Sequence, residues 1–280
     1  MIVRSLLLFV LGGGLGLTGV VPGGQAQAPE GTAAAWTTLA RYKDAQALAA
    51  DPRGRLYVAD AGRDVVEILD AEGKPQDMIG GSGTRAGEFD VPSDVDPTNG
   101  QLLLVADTYN GRLQRFSEEG QYLESLAIGR PDRRAGDGWR FENRREGDPV
   151  RSDGRPIAVA RDDDQSIFIL DERGRQLLKW TDLGGAERIV GGGARLQDPV
   201  ALAIGDRRVP VPPLPNVQAL VVHRGRLHIV SADTVRIWDQ SNAQMTEHSV
   251  DLPKPLVDVA RSDGDVYVLT ESRLLRKHGW

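Results

Sequence analysis

The clearest pattern of apolar and polar positions lies in the segment 102–116. Its first part, Leu-Leu-Leu-Val-Ala at 102–106, is an apolar run typical of strands buried on both faces. The turn Asp-Thr-Tyr-Asn-Gly follows, in which Asp can bond nearby backbone groups and Asn-Gly tolerates the positive φ of a tight reversal. Apolar Leu113 and Phe116 then alternate with charged and amide side chains. The segment therefore predicts a β-hairpin.

The same hairpin pattern recurs along the chain, so the protein contains an internal repeat. Its five copies lie at 56–70, 102–116, 167–180, 227–239 and 266–277. A shorter strand, rich in small and β-branched residues, precedes each copy, at 47–51, 92–96, 156–160, 218–222 and 255–260. A weaker fourth strand follows the first three copies, at 75–79, 122–128 and 186–190. Each unit is thus predicted to form a four-stranded antiparallel sheet.

Repeated four-stranded antiparallel units are typical of an all-β β-propeller, in which each sheet is one blade. The count of hairpins favours five blades, with six as the alternative. The last unit stops after its third strand, whereas the segment 36–42 precedes the first unit without a place in the repeat. We expect this segment to become the outer strand of the last blade, because closing the ring leaves no sheet edge unpaired.

Several passages resemble the NHL-repeat family of β-propellers. The segment Val-Ala-Asp-Thr-Tyr-Asn-Gly-Arg-Leu-Gln-Arg-Phe at 105–116 looks like the core of an NHL repeat. The Gly-rich segments 79–92 and 189–199 resemble the passages between NHL blades. The resemblance covers 36–280 and weakens after Pro199. It implies a propeller fold but no particular activity, because propellers host unrelated functions.

The N-terminal segment has the features of a secretory signal peptide. Arg4 is followed by a mostly apolar run from Ser5 to Val21, and Gly24-Gln25-Ala26 offers a cleavage site. We expect an exported bacterial protein, periplasmic or extracellular, with no transmembrane span after cleavage; the alternative is an uncleaved anchor. The predicted parts of the chain are a signal peptide at 1–26, a disordered leader at 27–35 and the propeller at 36–280.

Composition excludes several classes of function. The chain has no cysteine, which rules out disulfides and thiolate chemistry. Its formal net charge of −6 argues against a general nucleic-acid surface. A zinc site needs three or so converging ligands, and the spacing of His223, His228, His248 and His278 does not predict such a cluster. We expect a monomer without a cofactor.

The first of two insertions in the repeat, 130–155, is rich in arginine and carries two aromatic residues at its centre. In a propeller, connections between blades share a face with the turns of the central hairpins. Guanidinium and aromatic groups on long loops favour an acidic or planar partner. The alternative is a solvated loop whose aromatic side chains fold back onto the propeller. The predicted partner-binding residues are Arg63, Tyr109, Arg134, Trp139, Arg140, Phe141, Arg144, Arg145 and Arg173.

The second insertion, 205–216, contains four prolines, at 210, 212, 213 and 215, and is predicted to be a stiff, extended spacer. The segment 199–204 before it looks like an inner strand and so duplicates the strand at 218–222. Either one inner strand carries a proline-rich excursion, or a degenerate sixth unit has lost most of its strands.

Two sets of aspartates differ in their predicted roles. Asp60, Asp107 and Asp171 each end the first strand of a hairpin, and this repeated position indicates that each caps its own turn. Propeller lactonases hold calcium and NHL-like amidating lyases use zinc, but neither ligand pattern can be matched here. Hard cations require several oxygen ligands, and the weak candidates for such a site are the carboxylates expected nearer the axis, Asp44, Asp94 and Asp258.

The sequence as a whole favours an exported, non-catalytic NHL-type propeller that binds a protein, peptide or glycan. The reason is that a full repeat coexists with no catalytic motif, so we expect no catalytic residues and no enzymatic activity. The alternative is a metal-dependent hydrolase or lyase, using calcium or zinc, of the propeller lactonase or amidating-lyase type.

Overall fold

The structure, a computed structural model, consists of β-strands joined by turns. No helix in the part of the chain that it describes is long and apolar enough to cross a membrane. The described residues are 7–12, 36–97, 100–128, 141–142, 154–161, 166–174, 176–181, 185–192, 199–205, 217–223, 226–239, 244–249, 255–262 and 264–278.

The described strands follow the predicted hairpins and their flanking strands closely. In chain order they are β1 (Leu7–Gly12), β2 (Thr37–Arg41), β3 (Ala45–Ala50), β4 (Leu56–Asp60), β5 (Val65–Leu69), β6 (Pro75–Gly80), β7 (Pro92–Asp96), β8 (Leu102–Asp107), β9 (Arg112–Ser117), β10 (Tyr122–Ala127), β11 (Phe141–Glu142), β12 (Pro156–Arg161), β13 (Ile167–Asp171), β14 (Gln176–Thr181), β15 (Gly185–Gly192), β16 (Pro199–Gly205), β17 (Val217–His223), β18 (Arg226–Ser231), β19 (Thr234–Asp239), β20 (Gln244–Ser249), β21 (Leu256–Ser262), β22 (Asp265–Thr270) and β23 (Arg273–His278).

Five antiparallel sheets, four of them four-stranded and the one in blade 2 extended to five strands by β11, form a five-bladed β-propeller, which confirms the predicted fold class. Blade 1 contains β3–β6, blade 2 β7–β10, blade 3 β12–β15 and blade 4 β17–β20. Blade 5 combines β21–β23 with β2, whose pairing joins Thr37 to Arg276 and Arg41 to Arg273. The strand β2 lies in the segment 36–42 and runs antiparallel to β23.

The strand β16 lies between blades 3 and 4. It packs against the inner strands β12 and β17, but it pairs with β1 in a separate two-stranded sheet. The sequence left open whether this segment is part of an inner strand with an excursion or the remnant of a sixth unit. The structure shows a strand of its own next to the five complete blades. The inner strands β3, β7, β12, β16, β17 and β21 surround the axis, each packed against the next.

The central strands are apolar on both faces because each blade packs between two neighbours. In β8, Leu103 and Val105 join the core shared with blade 1, whereas Leu104 and Ala106 join the core shared with blade 3. Alternate side chains of a strand point to opposite faces, so a run of consecutive apolar residues fills both cores. On the far side of blade 3, the core is completed by Leu202 of β16.

The Gly-rich linker after blade 1 offers a test of this packing. Gly80 has a φ of +106°, and a Cβ there would overlap the ring of Phe89 and lie 2.9 Å from the carbonyl oxygen of Asp64. We expect Gly80→Ala to lower the free energy of unfolding by about 2 kcal/mol, from backbone strain and overpacking together. Urea denaturation followed by circular dichroism measures this loss.

Gly81→Ala is the matched control for Gly80→Ala. Gly81 also has a positive φ, +131°, but a Cβ there meets no atom within 4 Å. It should therefore cost only the backbone term, about 1 kcal/mol. Equal losses in the two variants would show that contact with Phe89 contributes nothing.

Candidate functional site

Two aspartates, from blades 2 and 5, face the axis. In every blade, the pairing of the inner strand with the second strand shifts register by one residue near its start. Such an irregularity re-aims the side chain that follows it. Three of the five residues that follow the shift are alanine and two are aspartate: Ala47, Asp94, Ala158, Ala219 and Asp258.

Each aspartate connects its own blade to the next one. Asp94 accepts hydrogen bonds from the backbone N–H groups of Val95, at 2.8 Å, and Val159 in blade 3, at 2.8 Å. Asp258 likewise accepts from Val259, at 2.7 Å, and from Leu48 in blade 1, at 2.9 Å. Both oxygens of each carboxyl group are therefore engaged, and the two aspartates occupy the same position in their blades.

Burial governs the acidity of these two groups. It raises the pKa of Asp258 to about 7, against the backbone N–H groups, which lower it. Burial also raises the pKa of Asp94 well above its ordinary value, and the negative charge of Asp258 raises it further. This coupling means that the two carboxyl groups sense each other's charge. Both carboxyl groups therefore keep their protons to a higher pH than an exposed aspartate does.

Two cavities meet at the aspartate pair. The upper cavity, about 320 Å³, opens where the inner strands begin and is also lined by Gln46, Ser93 and Gln218. The lower cavity, about 330 Å³, opens where the inner strands end. Both share Asp94, Asp258, Leu202 and Leu220 in their walls. The aspartates thus belong to the walls of both cavities, which together are called the axial channel below.

The residues that the structure describes do not fit a divalent cation on the axis. No three side chains of His, Cys, Asp or Glu converge among them, whereas calcium takes six to eight oxygens and zinc three or four protein ligands. Each oxygen of Asp94 and Asp258 already accepts a backbone N–H. The third candidate, Asp44, is exposed and accepts a hydrogen bond from Gln46 at 2.6 Å.

Two arginines that the sequence did not single out also line the lower cavity. Arg161 and Arg261 occupy equivalent positions, three residues after the register shift, in blades 3 and 5. A repeated tripeptide, Val-Ala-Arg, ends β12 at 159–161 and lies one residue before the end of β21 at 259–261. That repeat could have identified the pair, but only knowledge of the ring shows that both arginines reach one cavity.

The aspartates at the hairpin turns have structural roles. Asp60 accepts a hydrogen bond from Gly62 N–H in its own turn, at 3.1 Å, and from Asp44 N–H, at 3.0 Å, in the connection that enters the blade. Asp107 and Asp171 likewise accept from the backbone of the incoming connection, at Asp90 (2.8 Å) and Arg155 (2.9 Å). These carboxylates therefore join each turn to the connection before it.

The predicted partner-binding residues are only partly described. Tyr109 is 58% exposed and has the guanidinium of Arg155 5.1 Å from its ring centroid. Arg173 is exposed, while Arg63 donates from Nε to Asp60 at 2.6 Å. Phe141 lies in β11, which pairs with β10 and extends the edge of blade 2. The other five residues lie outside the described ranges: Arg134, Trp139, Arg140, Arg144 and Arg145.

A larger depression, about 870 Å³, lies at the rim between blades 1 and 2. The exposed side chains of Met78 and Leu123 are part of its lining, and Arg85 and Glu88 supply its charged groups. The axial channel has two carboxyl groups of raised pKa instead, and perturbed carboxyl groups in a cavity are the stronger indication of chemistry. We therefore place the candidate site on the axis.

Solved structures similar to this chain include propeller enzymes. A streptogramin B lyase matches 86% of this chain and 96% of its own length, with a TM-score of 0.52 and 10% identity. Virginiamycin B lyase from Staphylococcus aureus matches 87% and 98%, with a TM-score of 0.54 and 10% identity. A gluconolactonase from Xanthomonas campestris matches 87% and 89%, with a TM-score of 0.58 and 14% identity. No protein-family model matches the chain.

These findings correct the functional hypothesis drawn from the sequence. The similar structures are named as lyases and a gluconolactonase, which contradicts the expectation of a non-catalytic binding module and of a protein without enzymatic activity. They favour the alternative, a hydrolase or lyase. At 10–14% identity the likeness itself shows the propeller fold and does not show membership of the NHL family.

Proposed function

We propose that this protein is a hydrolase or lyase that acts on a small molecule in the axial channel, with Asp94 and Asp258 transferring protons. One observation carries the proposal: two carboxyl groups of raised pKa, from different blades, line the same two cavities. The enzymatic names of the similar structures support the reaction class.

The two carboxyl groups suit different roles in such a reaction. Hydrolysis of an ester or lactone needs a base that takes a proton from water and an acid that protonates the leaving oxygen. Elimination by a lyase needs a base for a C–H proton and the same kind of acid. With its pKa of about 7, Asp258 is ionised often enough to act as the base. Asp94, whose pKa is raised further by the charge of Asp258, is the acid.

The finer features of the protein are also proposals, supported by the sequence. The motif at 105–116 supports an NHL-type repeat, and the apolar run from Ser5 to Val21 supports export with cleavage after Ala26. The charge of −6 supports a protein that does not bind nucleic acid. We propose a monomer in the bacterial periplasm or outside the cell.

The test is an assay of the purified protein on a panel of lactones and esters, including glucono-1,5-lactone, together with virginiamycin B, for which one of the similar structures is named. We expect Asp94→Asn and Asp258→Asn to lower kcat/KM by about 100-fold or more. We also expect a wild-type rate that changes with an inflection near pH 7, the pKa of Asp258, and no such inflection in Asp258→Asn. Asp233→Asn, at an exposed aspartate of blade 4, should keep the wild-type rate.

Both aspartates also bond neighbouring blades, so a loss of activity must be separated from a loss of structure. Thermal unfolding followed by circular dichroism gives the unfolding midpoint of each variant. Assays are run below that midpoint, so that the assayed variants are folded. The proposal fails if the wild type turns over none of the panel. It also fails if folded Asp94→Asn and Asp258→Asn retain the full rate.

A further inference from the structure

The lower cavity combines two cations with an apolar wall. Arg161 and Arg261 reach it from blades 3 and 5, which are not adjacent in the ring. Arg161 is 7% exposed, so its guanidinium belongs to the interior of the ring rather than to the surface. The walls are otherwise largely formed by apolar side chains such as Leu48, Val159 and Leu220. In such surroundings, hydrogen bonds between guanidinium groups and anionic oxygens are stronger than in water.

Burial reduces the negative charge that would oppose an anion in this cavity. Besides the two arginines, its lining carries three carboxyl groups, Asp94, Asp96 and Asp258. Burial raises the pKa of Asp94 well above its ordinary value and that of Asp258 to about 7, which lowers the negative charge that these two carboxyl groups carry. The guanidinium groups keep their positive charge, so an anion meets less repulsion here than it would beside ordinary carboxylates.

The arginines can bind an anion without giving up the interactions that they already make. A guanidinium has five N–H donors in a planar fork, so one edge can donate to protein groups while another donates to a ligand. Because the two side chains come from different blades, together they offer donors to two oxygens of one group or to two groups of one molecule. The volume of about 330 Å³ suits a small organic molecule.

We propose that the lower cavity binds the anionic group of a small molecule, a carboxylate or a phosphate, between Arg161 and Arg261. This site goes beyond the proposed reaction and does not depend on it. If the reaction also takes place, the bound anionic group would orient the small molecule so that its other atoms lie toward the aspartate pair. The equivalent positions in blades 1, 2 and 4 are Ala50, Pro97 and Val222, which supply no charge.

The test is calorimetric titration of the full chain at pH 7 and low ionic strength with citrate, gluconate and inorganic phosphate. We expect binding of at least one of them with a millimolar or lower Kd. Arg161→Gln and Arg261→Gln should each weaken it tenfold or more. The control is Arg226→Gln on blade 4, where the arginine is exposed and donates to Asp239 at 3.2 Å; it should leave the affinity unchanged. Tighter binding of the organic acids identifies a carboxylate ligand, and tighter binding of phosphate identifies a phosphorylated one.

A second measurement uses the wild-type protein, since Arg161 is buried and its replacement can prevent folding. Phenylglyoxal modifies arginine side chains, and peptide mass spectrometry locates the modified residues. The bound anion should protect Arg161 and Arg261 at least fivefold while Arg226 reacts at its usual rate. The proposal is overturned if none of the three anions binds. It is also overturned if the anion binds without protecting these arginines and without loss of affinity in the glutamine variants.

Discussion

Asp107→Ala is expected to lower the free energy of unfolding by about 3–5 kcal/mol, because it removes one partner of a buried ion pair. Arg112 is fully buried, and its Nε donates to Asp107 at 2.6 Å. The rest of its guanidinium donates to the carbonyl oxygens of Thr84, Arg85 and Glu88 in the linker between blades 1 and 2. Without the carboxylate, a positive charge remains buried with only neutral acceptors. Urea denaturation measures the loss.

Asp60→Ala is the matched control, because Asp60 ends the equivalent strand of blade 1. Its partner Arg63 also donates from Nε at 2.6 Å, but the side chain of Arg63 is 33% exposed and can be hydrated. We expect a loss of about 1–2 kcal/mol there. If both variants lose the same amount, burial of the ion pair is not the source of the effect.

The second large effect concerns pH. In the folded protein, burial raises the pKa of Asp258 from 3.8 to about 7, so the native state keeps a proton that the unfolded chain releases near pH 4. Stability therefore falls as the pH rises from about 4 to about 7, by up to about 4 kcal/mol from this group. Below that window the contribution is fully present, and above it the contribution is lost. Unfolding free energies at pH 5, 6, 7 and 8 measure the slope.

Asp258→Asn removes this titrating group and should make the slope shallower, while Asp94, whose pKa burial also raises, keeps its own contribution. Asparagine offers one acceptor oxygen to the two N–H groups of Leu48 and Val259 that the carboxyl group satisfies, so the variant starts less stable at pH 5. The gap to the wild type should then narrow toward pH 8. Asp233→Asn should keep the wild-type slope. A gap that stays constant from pH 5 to pH 8 would mean that Asp258 titrates normally in the native state.

The turn aspartates show how far local reasoning reaches. The repeated position of Asp60, Asp107 and Asp171 predicts a cap, and each does bond the backbone beside its turn. What could not be predicted is the partner across the turn. Arg112 is buried because the linker between blades 1 and 2 folds over it, whereas Arg63 remains partly exposed. That difference depends on residues more than twenty positions away.

The candidate site shows more clearly which features cannot be predicted from the local sequence. Asp94, Asp258 and Asp44 were grouped from the sequence as carboxylates near the axis, yet only Asp94 and Asp258 line the channel. The register shift at the start of the inner strands decides which residue faces the axis, and nothing in the local sequence specifies it. The sequence analysis predicted arginines on the loops as binding residues, whereas Arg161 and Arg261 lie near the ends of the inner strands β12 and β21.

By itself, the sequence determined the strands, their grouping in fours and the all-β propeller fold of this protein. Period-two alternation, apolar runs and turn residues act within a few positions, so they can be recognised without knowing what lies beside them. Only the tertiary structure decided that Asp94 and Asp258 line the same cavities, that Arg161 and Arg261 line the lower one, and that β16 lies between blades 3 and 4. Those features arise where inner strands far apart in the chain converge on an axis, and the burial that raises the carboxyl pKa values exists only once the ring is assembled.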